Sequence, residues 1–216
     1  MTAVKVDIWS DVACPWCFVG KRRFEKAVAD FVDAGGQVDV EYHSYELSPG
    51  TPAEVEGHHA DHLAQHLGRS VAEARQMLAQ MTELAATEGL SYDYDALQST
   101  NTRLAHQALH LAKAHGLQAE LKERLLAAYF EQGRHVGRVE DLADVAAEIG
   151  LDRDEVVAAL TDGTYAADVD ADIAQAVAYG IGGVPFYVFD GRFGVSGAQS
   201  PEVFRSALDK ATEVPA

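Results

Sequence analysis

Cysteine is scarce in this 216-residue chain: there are two, Cys14 and Cys17, three positions apart. A secreted fold stapled by disulfides uses more of them, spread so as to close long loops. A bridge from position 14 to 17 closes almost no loop and adds little stability, so the pair is better explained by chemistry than by architecture. Basic residues are also in short supply, with 17 Lys and Arg against 34 Asp and Glu for a formal net charge of −17. Nucleic acid and anionic membrane bind through Lys and Arg clusters, and the one locally basic stretch, Lys21-Arg22-Arg23, reads as a solvated helix start. No apolar run approaches the roughly 20 residues of a membrane span. The opening MTAVKVDIWSDV lacks a basic region followed by an apolar one and a small-residue cleavage site. It reads as a first strand, which makes the cytoplasm the expected compartment. Neither a GxGxxG nor a phosphate-cradling loop occurs, so no nicotinamide or flavin is expected.

What is present has a clear order. Val4, Val6 and Ile8 alternate with Lys5, Asp7 and Trp9 in the period-two pattern of a strand. Cys14-Pro15-Trp16-Cys17 follows. Phe24, Ala27, Val28, Phe31 and Val32 then recur at helical spacing up to Gly35-Gly36, and Val38, Val40 and Tyr42 give a second strand. From about residue 50 to 179 the signal is almost wholly helical. Ser70 with Glu73 forms a capping box, and further helices are expected near 100–115, 118–132, 139–149, 153–161 and 166–179. Strand character returns at Phe186–Phe189, an Asp190-Gly191 turn makes a hairpin, and Ser200-Pro201 opens a last helix. The expected division is a sheet domain from 1–49 and 180–216 with a helical insertion at 50–179.

A dithiol couple needs two sulfurs close enough to bond, one of them ionised at working pH. Three-residue spacing at a helix start puts both on one turn, near unsatisfied N–H groups and the positive end of the helix dipole. A free thiol titrates near ~8.5, and such settings lower that value. Cys14 is therefore expected to be the exposed nucleophile and Cys17 the sheltered resolving thiol. Pro15 suits the first helical position, which needs no N–H, and Trp16 brings no charge of its own. Asp11, three residues before Cys14, is either a proton acceptor for its sulfur or a tie for the strand-to-helix turn.

The alternatives to redox chemistry are metal ligation and plain structure. A structural zinc site needs four ligands, and no second Cys pair exists, although His58, His62 and His66 share one helix face. That stripe reads more simply as a solvated face, and no metal is assigned to it. Val184-Pro185 stands immediately before an apolar strand, where proline is tolerated at the first residue. A cis bond there leaves the Val184 N–H and C=O open to an extended substrate, whereas sequence statistics alone favour trans.

IWSDVACPWCFVGKRRFEKA, followed much later by GIGGVPFYVFDGRFGVSGAQSPEVFRSAL, resembles the DsbA-like thioredoxin superfamily. Within it the chain is similar to cytoplasmic FrnE-type thiol–disulfide oxidoreductases, also across FEQGRHVGRVEDLADVAAEIGLD in the middle. The resemblance implies an α/β thioredoxin-like fold interrupted by helices, attack by Cys14, resolution by Cys17, and a cis Pro185 beside the pair. It implies no bound cofactor, with protein thiols and disulfides or a small thiol such as glutathione as partners. The accessory C-terminal cysteines of some members are absent. Kappa-class glutathione transferases and 2-hydroxychromene-2-carboxylate isomerases resemble the chain in SDVACPW and the GVP loop, but commonly place serine where Cys14 stands and lack the second cysteine. A glutathione-dependent isomerase or transferase is thus the competing expectation, and a non-catalytic binding protein the third.

Overall fold

The alternation at the start of the chain folds as expected into β1 (Val4–Ser10), with Val4, Val6 and Ile8 buried. This is a computed structural model, and it describes residues 3–213. β2 (Val38–Ser44) lies parallel to β1, with Val4 opposite Val38 and Ser10 opposite Ser44. A parallel pair needs a crossover, and α1 (Pro15–Asp33) supplies it. On the other side of β1 runs β3 (Phe186–Phe189), antiparallel, with Ile8 opposite Tyr187 and Trp9 opposite Phe186. β4 (Phe193–Ser196) closes the order β2-β1-β3-β4. The turn before β4 has φ of +49° at Asp190 and +66° at Gly191. Two positive φ values are what a tight hairpin with the strands' own twist demands, hence Asp-Gly. Asp190 also fastens the hairpin to β1: the Lys5 N–H donates to its carboxylate and its own N–H donates to the Lys5 carbonyl, both at 2.8 Å.

One face of this sheet is filled with apolar side chains. Phe24, Ala27 and Phe31 of α1 and Phe204, Ala207, Leu208 and Ala211 of α9 (Pro201–Glu213) pack over Val4, Val6, Ile8, Tyr187 and Phe189. Burying each large side chain contributes roughly 1.5–3 kcal/mol. The apolar stripe is narrower than the periodicity suggests, since Val32 and Val203 at its margins are exposed. The other face carries Trp9 and Val188 against Ala176 of α8 (Ala166–Ala178) and Ile181.

The chain folds into two compact units. The first runs up to Leu47 and resumes at Val169; the second is Ser48–Asp168. The return therefore falls at 168/169 rather than at 179/180. The reason is Trp9, whose indole N–H donates to the Asp172 carbonyl at 3.0 Å and whose ring meets Ala176, so that most of α8 belongs with the sheet. The second unit holds α2 (His59–Leu67), α3 (Val71–Thr87), α4 (Arg103–Ala114), α5 (Gln118–Phe130), α6 (Val139–Ala147) and α7 (Arg153–Asp162). The Ser70–Glu73 capping box is formed in both directions, and the Asp152 side chain accepts the Glu155 N–H at the start of α7. Leu121, Leu125, Leu142, Val145, Val156 and Leu160 are buried in this unit. Tyr92 stacks on Phe130 at 4.7 Å between ring centroids, with Tyr94 and Tyr129 edge-on, as packing aromatics rather than reactive phenols. Among the described residues no helix is long and apolar enough to cross a membrane.

Candidate active site

β1 ends at Ser10, and four residues later Cys14 caps α1 with an extended backbone (φ −95°, ψ 111°). Pro15 then takes the first helical position, and the Cys17 N–H donates to the Cys14 carbonyl at 3.0 Å. Strand end, short turn and proline together bring both sulfurs to the first turn of α1. Both thiols are free. Trp16 between them is 44% exposed.

Cys14 is not the exposed thiol that its place at a helix start suggested: it is 3% exposed, against 2% for Cys17. Its thiol donates to the Val184 carbonyl at 3.6 Å. The Val184–Pro185 bond is cis, as the family resemblance implied. The Val184 carbonyl is however engaged by the thiol rather than standing open for a substrate.

The electrostatics also run against the first expectation. The hydrogen bond to Cys17 and burial hold the Cys14 proton well above the usual thiol range, with the Cys17 and Asp11 charges adding to the rise. Only the Cys17 backbone N–H pulls the other way. A thiolate on either sulfur opposes ionisation of the other, so the pair is disfavoured from carrying two negative charges at once.

Asp11 turns out to be a tie. Its carboxylate accepts the Leu47 N–H at 2.8 Å and the Ala13 N–H at 3.4 Å, fixing the turn that leads into Cys14. Its charge opposes ionisation of Cys14. The turn after β4 is closed by Gln199, whose amide donates to the Ser196 carbonyl at 2.8 Å, while the Gly197 N–H donates to the Pro185 carbonyl at 2.8 Å. Asn101 serves as a capping residue, its side-chain oxygen accepting the Arg103 N–H at 2.8 Å.

Two features were missed in the sequence. The first is Gly20, at which a Cβ atom would lie 2.7 Å from the Tyr187 hydroxyl and 3.0 Å from Pro185 Cγ. The second is an ionic cluster on the α8 face of the sheet. His43 stacks on Trp9 with ring centroids 4.4 Å apart. Its Nδ1 lies 2.7 Å from the Asp172 carboxylate and its Nε2 2.9 Å from Asp7. The second Asp172 oxygen accepts the Ser44 N–H at 2.7 Å. A neutral imidazole has one N–H, so carboxylates on both nitrogens call for the imidazolium. Burial pushes the His43 pKa down, but hydrogen bonds to Asp172 and Asp7 and the charges of Asp172 and Glu41 outweigh it, and the net shift is upward. Strand alternation was the available signal, since parallel register sets Asp7 opposite Glu41 and Trp9 opposite His43.

Asp7, Glu41 and His43 also form the one metal-sized grouping of three ligands among the described residues. The Lys5 ammonium already lies 2.9 Å from Asp7 and 3.1 Å from Glu41, supplying the cation there. The His58/His62/His66 stripe forms no such grouping. His58 caps α2, and the His62 ring donates to the Glu56 carbonyl at 2.6 Å. His59, off that stripe, packs beside Tyr94 with Nδ1 2.8 Å from Ser99 Oγ, and burial drops its pKa to about 4.

The whole chain is similar to proteins of known structure. A probable DsbA oxidoreductase from Streptomyces coelicolor is 40% identical, with a TM-score of 0.92 over 99% of this chain and 92% of that one. Two more distant structures share the fold. A 2-hydroxychromene-2-carboxylate isomerase is 16% identical with a TM-score of 0.71, over 97% of this chain and 96% of its own. The cytosolic disulfide reductase DsbM from Pseudomonas aeruginosa, solved with glutathione, is 20% identical with a TM-score of 0.65, over 97% and 100% of the two chains. The DSBA-like thioredoxin domain matches residues 5–209, and the chain belongs to that family of thiol–disulfide oxidoreductases.

Proposed function

We propose that this protein exchanges a Cys14–Cys17 dithiol for a disulfide with protein or small-molecule substrates, as a FrnE-type member of its family. The observation that carries the reading is the placement of two free thiols at the start of α1, with the Cys14 thiol donating to the carbonyl of Val184 before the cis Pro185. The Cys14 thiolate attacks one sulfur of a substrate disulfide; that S–S bond breaks, and the second substrate sulfur leaves as a thiolate that takes up a proton. Cys17 then loses its proton and attacks Cys14, the mixed disulfide breaks, and the substrate leaves carrying two electrons. Two molecules of a small thiol such as glutathione return two electrons to the Cys14–Cys17 disulfide by two successive exchanges and leave joined as their own disulfide. The reverse sequence oxidises a dithiol. No metal, flavin or nicotinamide takes part in this cycle, and the cytoplasm is the compartment it suits.

Reduction of insulin disulfides, followed by turbidity, tests the reading. Activity is expected in the parent protein, abolished in Cys14→Ser, and stalled as a mixed disulfide in Cys17→Ala. Saturable glutathione binding by a parent protein that leaves insulin disulfides unreduced would instead favour a glutathione-dependent isomerase or transferase, for which Cys17 has no task.

A further inference from the structure

We propose that Gly20 is a positioning residue for the Cys14–Cys17 couple, setting by its missing side chain how closely α1 approaches Pro185 and hence Val184. The inference rests on the dithiol chemistry proposed above.

Gly20 lies inside α1, where glycine is a poorer residue than alanine, and it has no positive φ that would call for glycine. Space explains it. A Cβ atom there would stand 2.7 Å from the Tyr187 hydroxyl, 3.0 Å from Pro185 Cγ and 3.3 Å from Ala198 Cβ. Those atoms come from the start of β3 with the residue before it and from the turn after β4, so two parts of the chain close on one bare backbone position. Tyr187 cannot easily swing aside: it is 1% exposed, and its ring packs against Phe24 at 5.2 Å and Phe204 at 4.5 Å. An added methyl must therefore be absorbed largely by Pro185 and the hairpin.

The chain links that displacement to the sulfur. Pro185 follows Val184, whose carbonyl accepts the Cys14 thiol. One helical turn beyond Gly20, the Arg23 guanidinium donates to the Ala198 carbonyl at 2.8 Å, and the Gly197 N–H donates to the Pro185 carbonyl at 2.8 Å. Gly20, Arg23, Ala198, Gly197 and Pro185 thus form a closed circuit beside the couple. Moving one member changes the geometry in which Cys14 meets its carbonyl partner and an incoming disulfide.

The test is a double-mutant cycle of Gly20→Ala and Tyr187→Phe, read as the rate of Cys14 alkylation, its pH profile and insulin reduction. Gly20→Ala is expected to slow disulfide exchange about tenfold, since ångström-scale misplacement carries penalties of this order or more. It should also displace the pH profile of alkylation, while Tyr187→Phe, which removes the nearest clashing atom, restores much of the loss in the double variant. Arg23→Gln opens the circuit without adding volume and is expected to slow exchange by about threefold, a smaller misplacement of the same kind. Gly20→Ala with the parent's rate and profile overturns the proposal. So does a loss that merely follows the melting temperature and is not relieved by Tyr187→Phe. If Gly20→Ala does not fold, Arg23→Gln decides alone, and an unchanged rate and profile there overturns it. Absence of exchange in the parent protein counts against the dithiol reading itself and leaves the packing at Gly20 as it is.

Discussion

The two faces of the sheet solve the same burial problem in different ways. Over Val4, Val6 and Ile8 the space is filled by Phe24, Phe31, Phe204 and Leu208, none of which titrates. On the other face β1 offers Lys5, Asp7 and Trp9, and β2 answers with Glu41 and His43, held by Asp172 from α8. The apolar face derives its stability from area and close packing, which pH does not touch. The polar face depends on each charge keeping its partner, because a buried charge left alone is costly. The lesson is that α8 is attached by a pH-sensitive joint and α9 by an insensitive one.

That contrast is breakable. Phe204→Ala opens a cavity beneath fully buried Tyr187 and Phe24 and is expected to cost about 3–5 kcal/mol, with no change in the pH dependence of unfolding. Chemical denaturation across a pH series checks both parts. Asp172→Asn keeps the shape but sets an amide against either the His43 N–H or the Ser44 N–H. A hydrogen bond to a charged group contributes roughly 1.5–3 kcal/mol, so a loss in that range is expected near pH 6, shrinking as pH rises.

The parent protein should show the matching pH dependence. The folded pKa of His43 lies above its unfolded value, so the cluster's contribution is complete below about 6.5, the ordinary histidine value. It is lost as pH climbs through the folded pKa. Denaturation midpoints falling from pH 6 toward 8, and flat in His43→Phe, are the expected result; a flat parent curve would contradict the imidazolium assignment. The smallest effect belongs to Lys5→Gln. This ammonium is half-exposed, and such pairs contribute about 0–1 kcal/mol, seen best at low salt.

The same contrast explains what could be read from the sequence. The apolar face was legible because period-two strands and helical spacing write burial directly into the chain, as in Val4, Val6 and Ile8 or Phe24, Ala27 and Phe31. Cys14 and Cys17 were legible because their chemistry is local to one turn, and so was the Asp190-Gly191 hairpin. The polar face was not, for it joins positions 7, 43 and 172, and nothing local marks Asp172 as the partner of His43. This also moved the unit boundary, since α8 reads as one more amphipathic helix until Trp9 and His43 are seen to hold it. Gly20 was overlooked for a related reason: a helical glycine signals close approach only once Pro185, Tyr187 and Ala198 are known to lie against it. The burial of Cys14 was missed because the dipole at a helix start is a local cue, whereas the carbonyl that receives the thiol comes from Val184, far along the chain.

The central claim is that Cys14 and Cys17 interconvert reversibly between dithiol and disulfide. Equilibration in glutathione buffers of graded potential, followed by acid quench, alkylation and intact mass, measures this directly. One cooperative transition is expected, in which both thiols become unalkylatable together, as an intramolecular disulfide with both thiol hydrogens lost. Two thiols that stay alkylatable at every potential, or that end only as separate glutathione adducts, would contradict it.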